Sequence, residues 1–304
     1  MLARFVPGAL VRWFARPYVA GDSVEAALDT ADDLLRRHEV LATLDLLGEG
    51  VRRQEQVEAN LGEYKSLIDA VAADPRFPDP GARPTVSLKP SAFTTGSVDA
   101  ARGPLEDVAA HAHGKGVALT IDMEERRWTD LTLDLSTALY GKGYDVGTVL
   151  QTRLHRTEAD LERIPEGMRL RLVIGIYPEP EEVALTSKPA MKERMVAYAR
   201  RLLERNAVVE FATHDETYVE EFARDVAPVA PERCEVQLLL GVPRAAMQER
   251  LRRGDFGVPL RVRLYVPFAL SWDDATAYLR RRLEESPSMA WLVLRNLLFG
   301  RGGR

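Results

Sequence analysis

Polar side chains capable of acid, base or ion-pair chemistry recur where short apolar runs of this sequence are interrupted or end. They are Glu49, Lys89, Asp122, Gln151, Arg171, Thr213 with His214, Gln237 and Tyr265, one or two for each of eight runs. Taken singly, each reads more simply as a solvated or structurally paired side chain. Taken together they read as groups converging on one mouth. The sharpest spacing lies in YLRRRLEE, where Tyr278, Arg281, Arg282 and Glu285 fall at i, i+3, i+4 and i+7 and share a helix face. Paired guanidinium forks suit a substrate carboxylate. A solvated basic face with Arg–Glu pairs answers to the same pattern. His214 lacks a second His at i+4 and any Cys or carboxylate at ligand spacing, so no metal site is expected. There is no Rossmann or Walker glycine loop and no nucleophile elbow, so a nucleotide would be held by loops and helix N-termini.

The elements that must position these groups alternate. Eight strand candidates, 43–48, 85–90, 118–124, 147–152, 169–177, 208–214, 234–242 and 261–268, are separated by helical stretches, the mark of parallel βαβ units. Within 181–205, Met191, Met195, Tyr198 and Leu202 recur at spacings of three or four and belong to a packed helix face. The Pro-rich stretch 74–84 fits a loop within the barrel or a domain linker. Eight repeats predict a closed α/β barrel, with catalytic groups at the C-terminal mouth. The expected division is an N-terminal helical extension over 1–42, the barrel over 43–288, and a C-terminal helix and tail over 289–304.

The chain has 304 residues, 46% of them hydrophobic, enough for a sizeable core. No run approaches the roughly 18 apolar residues of a membrane-spanning helix. With 46 acidic and 41 basic residues the net charge is -5, which argues against general nucleic-acid binding. The single Cys234 excludes an internal disulfide and a Cys metal cluster, and makes a reducing cytoplasm the default. The N-terminus, with Arg4, Phe5, Trp13, Phe14 and Arg16, is basic and amphipathic. It reads as a helix packed on the barrel or as a membrane-surface anchor, not as an export signal.

The strings LDLLGE (44–49), VSLKP (86–90), IDMEE (121–125), VLQTRLHRT (149–157), RLVIGIYPEP (171–180), FATHD (211–215), EVQLLLGV (235–242), LYVPF (264–268) and YLRRRLEE (278–285) together resemble the proline dehydrogenase family, its single-function bacterial branch in particular. The resemblance runs from about residue 22 to 299. It implies a distorted (βα)8 TIM barrel that binds FAD and oxidises L-proline to Δ1-pyrroline-5-carboxylate by hydride transfer to flavin N5, with a membrane quinone as acceptor. The last helix would lie over the mouth. On the matching positions, Lys89, Arg281 and Arg282 hold the proline carboxylate, Tyr265 and Tyr278 pack on its ring, and Asp122 and Arg171 sit beside the isoalloxazine. Gln151, Met123, Ile174, Gly175, Ile176, Thr213 and His214 match flavin-contacting positions, and Glu49 matches a carboxylate that pairs with the first arginine and gates the site. Peripheral contact with the inner face of the membrane and a pyrroline-5-carboxylate dehydrogenase are further partners to be considered.

The sequence departs from the family pattern where Ile174 and Ile176 stand in place of a lysine and an alanine, and also at Leu240, Ala269, Asp215 and Ser286. Two other readings stand beside the dehydrogenase, the first motivated by Ile174 and Ile176 and the second by Lys89 at a strand end. One is a catalytically silent barrel that binds flavin or an imino acid. The other is a Schiff-base aldolase built on Lys89.

Overall fold

The structure, a computed structural model, describes residues 17–48 and 51–272. Eight strands close a barrel in chain order: β1 Leu41–Leu46, β2 Thr85–Leu88, β3 Leu119–Ile121, β4 Val146–Gln151, β5 Arg169–Val173, β6 Val208–Ala212, β7 Cys234–Leu239 and β8 Arg261–Phe268. All neighbours are parallel, and β8 closes on β1 with Tyr265 opposite Thr43. Several strands are shorter than their expected runs: β2 and β6 end two residues early, and β3, β5 and β7 by more. β3 stops at Ile121, although Asp122 N–H still donates to Leu88 O at 2.8 Å. β5 and β7 stop before Gly175 and Gly241, whose φ values of 91° and 82° turn the chain out of the extended region.

Helices cover the outside: α1 Val24–His38, α2 Gln54–Ala73, α3 Arg102–Lys115, α4 Thr129–Gly141, the single turn α5 Thr157–Asp160, α6 Lys188–Glu204, α7 Glu216–Asp225 and α8 Ala245–Arg253. α6 starts later than its periodic pattern because Pro189, which donates no backbone N–H, fits only a first turn; its inner face carries Met191, Met195, Tyr198 and Leu202 as expected. The Pro-rich stretch 74–84 is the loop from α2 to β2, anchored by buried Phe77. Ser23 caps α1, its hydroxyl accepting from Ala26 N–H. α1 packs against both β1 and β8, which fills the outer slot that the helix following the last strand takes in a regular barrel.

Period-two alternation sorts the strand residues into two layers. Outward side chains such as Leu172, Phe211, Val236 and Leu264 form the apolar core under the helices, and Phe211 on β6 stacks on Phe222 of α7 at 4.4 Å. Inward positions are largely polar, with Val149, Val173 and Leu239 among the exceptions. In the lumen the cations Lys89, Arg169, Arg171 and Arg263 stand among the carboxylates Asp45, Asp122, Glu210 and Glu235. Matching the two signs is what makes such burial tolerable, since an unpaired buried charge costs several kcal/mol.

Candidate active site

Lys89 directly follows β2 and is buried. Its Nζ pairs with the Asp45 carboxylate of β1 and donates to Tyr265 Oη of β8 at 3.2 Å. Tyr265 Oη in turn donates to Asp122 Oδ2 at 2.7 Å, just past β3. Asp122 Oδ1 accepts from Arg171 Nη1 of β5 at 2.8 Å, and the guanidinium lies 5.2 Å from the Tyr265 ring centroid. Four residues read from the sequence as separate strand-end candidates thus form one hydrogen-bonded chain across the mouth. Arg171, Gln237 and Tyr265 belong to the interior of their strands instead of the ends, and reach the site because their register faces inward.

Electrostatics fixes the protonation of this chain. Burial and the nearby Asp122 and Asp45 carboxylates push the Tyr265 phenol well above its ordinary value, so it stays a neutral donor. Burial opposes the charge of Arg171, but Asp122 and Glu210 outweigh it and hold the guanidinium above its usual value. Arg171 is therefore a fixed cation in a low-dielectric lumen, where its field is stronger than in water.

The β4–β6 side of the mouth carries the other predicted residues. Gln151 closes β4 and donates through Nε2 to Glu124 O at 2.6 Å, while its buried Oε1 has no partner among the described residues. Gly175 flanks it closely: a Cβ there would stand 2.4 Å from Gln151 Oε1, so only glycine leaves that carboxamide in place. Ile174 packs on the core beside it, whereas Ile176 is 55% exposed. Met123 is buried just past Asp122. Thr213 Oγ1 accepts from Asp215 N–H at 3.2 Å, which fixes the loop before α7. His214 Nε2 accepts from Leu239 N–H at 3.3 Å, so in the neutral ring the proton sits on Nδ1. Burial and Arg244 lower the His214 pKa to about 4, keeping it neutral. His214 Nδ1 and Arg171 Nη2 are, like Gln151 Oε1, buried and without partner among the described residues. A buried donor or acceptor left open costs about 1–3 kcal/mol. Two donors and one acceptor on the same side of one mouth fit a planar ligand edged with both kinds of group, as a flavin is. Glu49, Tyr278, Arg281 and Arg282 lie outside the described residues.

The reading of single residues missed Asp45, Glu210, Glu235 and Arg263. Their signal was present: polar residues two apart in an otherwise apolar strand, Thr43 and Asp45 in LATLDL and Arg261, Arg263 and Tyr265 in RVRLYVPF, mark an inward polar layer.

Comparison with known proteins agrees with the barrel. The proline dehydrogenase family matches residues 27–293. A proline dehydrogenase of Deinococcus radiodurans is 30% identical over 295 residues, covering 94% of this chain and 90% of that protein. Proline dehydrogenase 1 of Bacillus subtilis strain 168 is 29% identical, covering 98% of this chain and 95% of that protein. Among solved structures, proline utilization A from Bdellovibrio bacteriovorus, inactivated by N-propargylglycine, superposes with a TM-score of 0.74 at 22% identity. A Bradyrhizobium japonicum proline utilization A variant gives 0.72 at 23%. This chain covers 96% and 91% of itself in those matches but spans only 34% and 31% of those longer proteins, so they bear on its fold alone. With the family matched across most of its length, the chain belongs to the proline dehydrogenase family of oxidoreductases.

Proposed function

We propose that the chain oxidises L-proline to Δ1-pyrroline-5-carboxylate with FAD as its resident cofactor, and that a membrane quinone takes the electrons. The observation that carries this reading is the chain Lys89–Tyr265–Asp122–Arg171 across the mouth, bordered by the open polar atoms of Gln151, Arg171 and His214. When bound, the flavin supplies the acceptor for the hydride that leaves proline C5.

Lys89 presents an ammonium to the substrate carboxylate, and Arg281 and Arg282 add guanidinium forks as the second and third cationic contacts. Tyr265 offers its ring face to the pyrrolidine, while its hydroxyl, tied between Lys89 and Asp122, cannot rotate away. Holding the substrate in one orientation is itself a large part of the rate, since it converts an encounter into an intramolecular step. Arg171 stabilises the negative charge that develops as the hydride arrives. Gln151, Gly175, Met123, Ile174, Ile176, Thr213 and His214 hold the flavin, and Glu49 gates the entrance. The substrate nitrogen must be a free amine, so the rate rises with pH toward that amine's pKa.

An absorbance spectrum of the purified protein from about 300 to 550 nm, before and after anaerobic addition of proline, tests the reading. Flavin bands that bleach with proline are the expected result. Flavin that stays oxidised would shift the assignment to a silent binding barrel, and absence of flavin would overturn it.

A further inference from the structure

Below the mouth, Gln237 of β7 touches two groups of opposite hydrogen-bonding character. Its Oε1 accepts from Arg171 Nε at 2.5 Å, and its Nε2 donates to Glu235 Oε1 at 2.8 Å. A carboxylate can only accept and a guanidinium can only donate, so the amide orientation is forced by its neighbours. Glu235 accepts in turn from Arg263 Nε at 2.7 Å and Nη2 at 3.2 Å, and Arg263 Nη1 donates to the Ala42 carbonyl of β1 at 2.9 Å. Arg171, Gln237, Glu235 and Arg263 are each at most 8% exposed. The result is a rigid line from the β1 backbone, across the lumen, to one edge of the Arg171 guanidinium. Asp122 holds Nη1, Gln237 holds Nε, and Nη2 is left as the open donor.

We propose that Gln237 is the positioning residue of Arg171: it fixes the guanidinium plane so that Nη2 faces the flavin, and it keeps the Glu235 charge one amide away from the cation. The proposal rests on the flavin-dependent reading above. The alternative acceptor shows why the amide matters. Glu210 Oε2 stands 3.8 Å from Arg171 Nε, and Glu210 Oε1 already accepts from Arg169 Nη1 at 3.1 Å. Without the Gln237 oxygen, Nε turns toward Glu210, the plane rotates, and the cation spends its field on a carboxylate instead of on the reduced cofactor. A direct Glu235–Arg171 pair would do the same.

Two variants, each purified with flavin, test this by reduction potential, flavin affinity and anaerobic reduction kinetics. Q237L should make two-electron reduction at least tenfold less favourable, a potential about 30 mV lower. Its limiting rate of flavin reduction should fall about tenfold, with half-saturating proline unchanged. Q237E places a second carboxylate against Glu235, with Arg171 on β5, Asp122 past β3, Glu210 on β6 and Arg263 on β8 as the surrounding charges. At acid pH a proton shared by the two carboxylates restores a donor toward Glu235 and an acceptor toward Arg171, so the wild-type potential returns. At alkaline pH that proton is lost and the potential drops at least tenfold in equilibrium terms. Variants that retain flavin at the wild-type potential across this range would overturn the proposal, even if they melt earlier, because Gln237 would then be only packing. Should Q237L fail to fold, Q237E decides by itself, since its two pH arms are read within one protein. A wild-type protein without flavin would overturn the functional reading and this inference with it, whereas a wild type that bleaches and variants that do not shift overturn the inference alone.

Discussion

Arg171 makes two of its side-chain contacts through different nitrogens, Nη1 to Asp122 and Nε to Gln237, and keeps a third nitrogen open. A lysine in its place has one ammonium and no fork, so it cannot satisfy both neighbours and still present a donor. R171K is expected to lower the limiting rate of flavin reduction by about 10²–10³-fold, the cost of one preorganised donor to developing charge, as stopped-flow absorbance would read. His214 sets a pH limit of its own. Its pKa of about 4 in the folded chain lies below its ordinary 6.5, so between these values the unfolded chain binds the proton and the folded one does not. Its contribution is complete above the higher value and is lost as pH falls toward the lower, by about 3 kcal/mol at most. A melting series of the cofactor-free protein across that window should show the loss, and H214Q should flatten it. Both residues were legible as polar interruptions of apolar runs, while their charge states were not, because those depend on burial and on neighbours from other strands.

At the scale of the element, the loop after β5 shows how a backbone turn serves a side chain on the preceding strand, β4. Gly175 takes a positive φ and leaves the space in which the Gln151 carboxamide sits. G175A therefore meets two penalties, a left-handed conformation worth about 1–2 kcal/mol and a direct clash with Gln151 Oε1. Calorimetry should show a lower Tm, and titration with FAD should show weaker binding than in the wild type. Substituting an exposed glycine with nothing near its Cβ, such as Gly62, supplies the control. The strand runs were readable from alternation and β-branching, but β3 and β7 end three residues, and β5 four residues, earlier than their apolar patterns. Apolar residues continue past the ladder, some buried as Met123 and Val242 are and one exposed as Ile176 is, so composition alone does not mark where pairing stops.

Across the whole barrel, paired charges take much of the lumen that branched residues usually fill, and removing one partner leaves the other buried without its counter-charge. R263M would strip Glu235 of its guanidinium while leaving the carboxylate buried, held only by Gln237. The expected loss is about 3–5 kcal/mol, measured as a lower urea midpoint with an unchanged slope. A gain in stability would mean that the lumen admits water enough to solvate Glu235.

The sequence by itself determined the number and order of the strands, the apolar helix faces and the polar residue types that interrupt the runs, because periodicity and side-chain chemistry are local properties. The tertiary structure alone decided which of those groups meet. Closing the barrel with Tyr265 opposite Thr43 brings β8 beside β1, and with it Tyr265 to Lys89 across 176 residues and to Asp122 across 143. The same closure sets Glu235 against Arg263 and Gln237 against Arg171. Shear and inward register are properties of all eight strands at once, so no single segment could announce them.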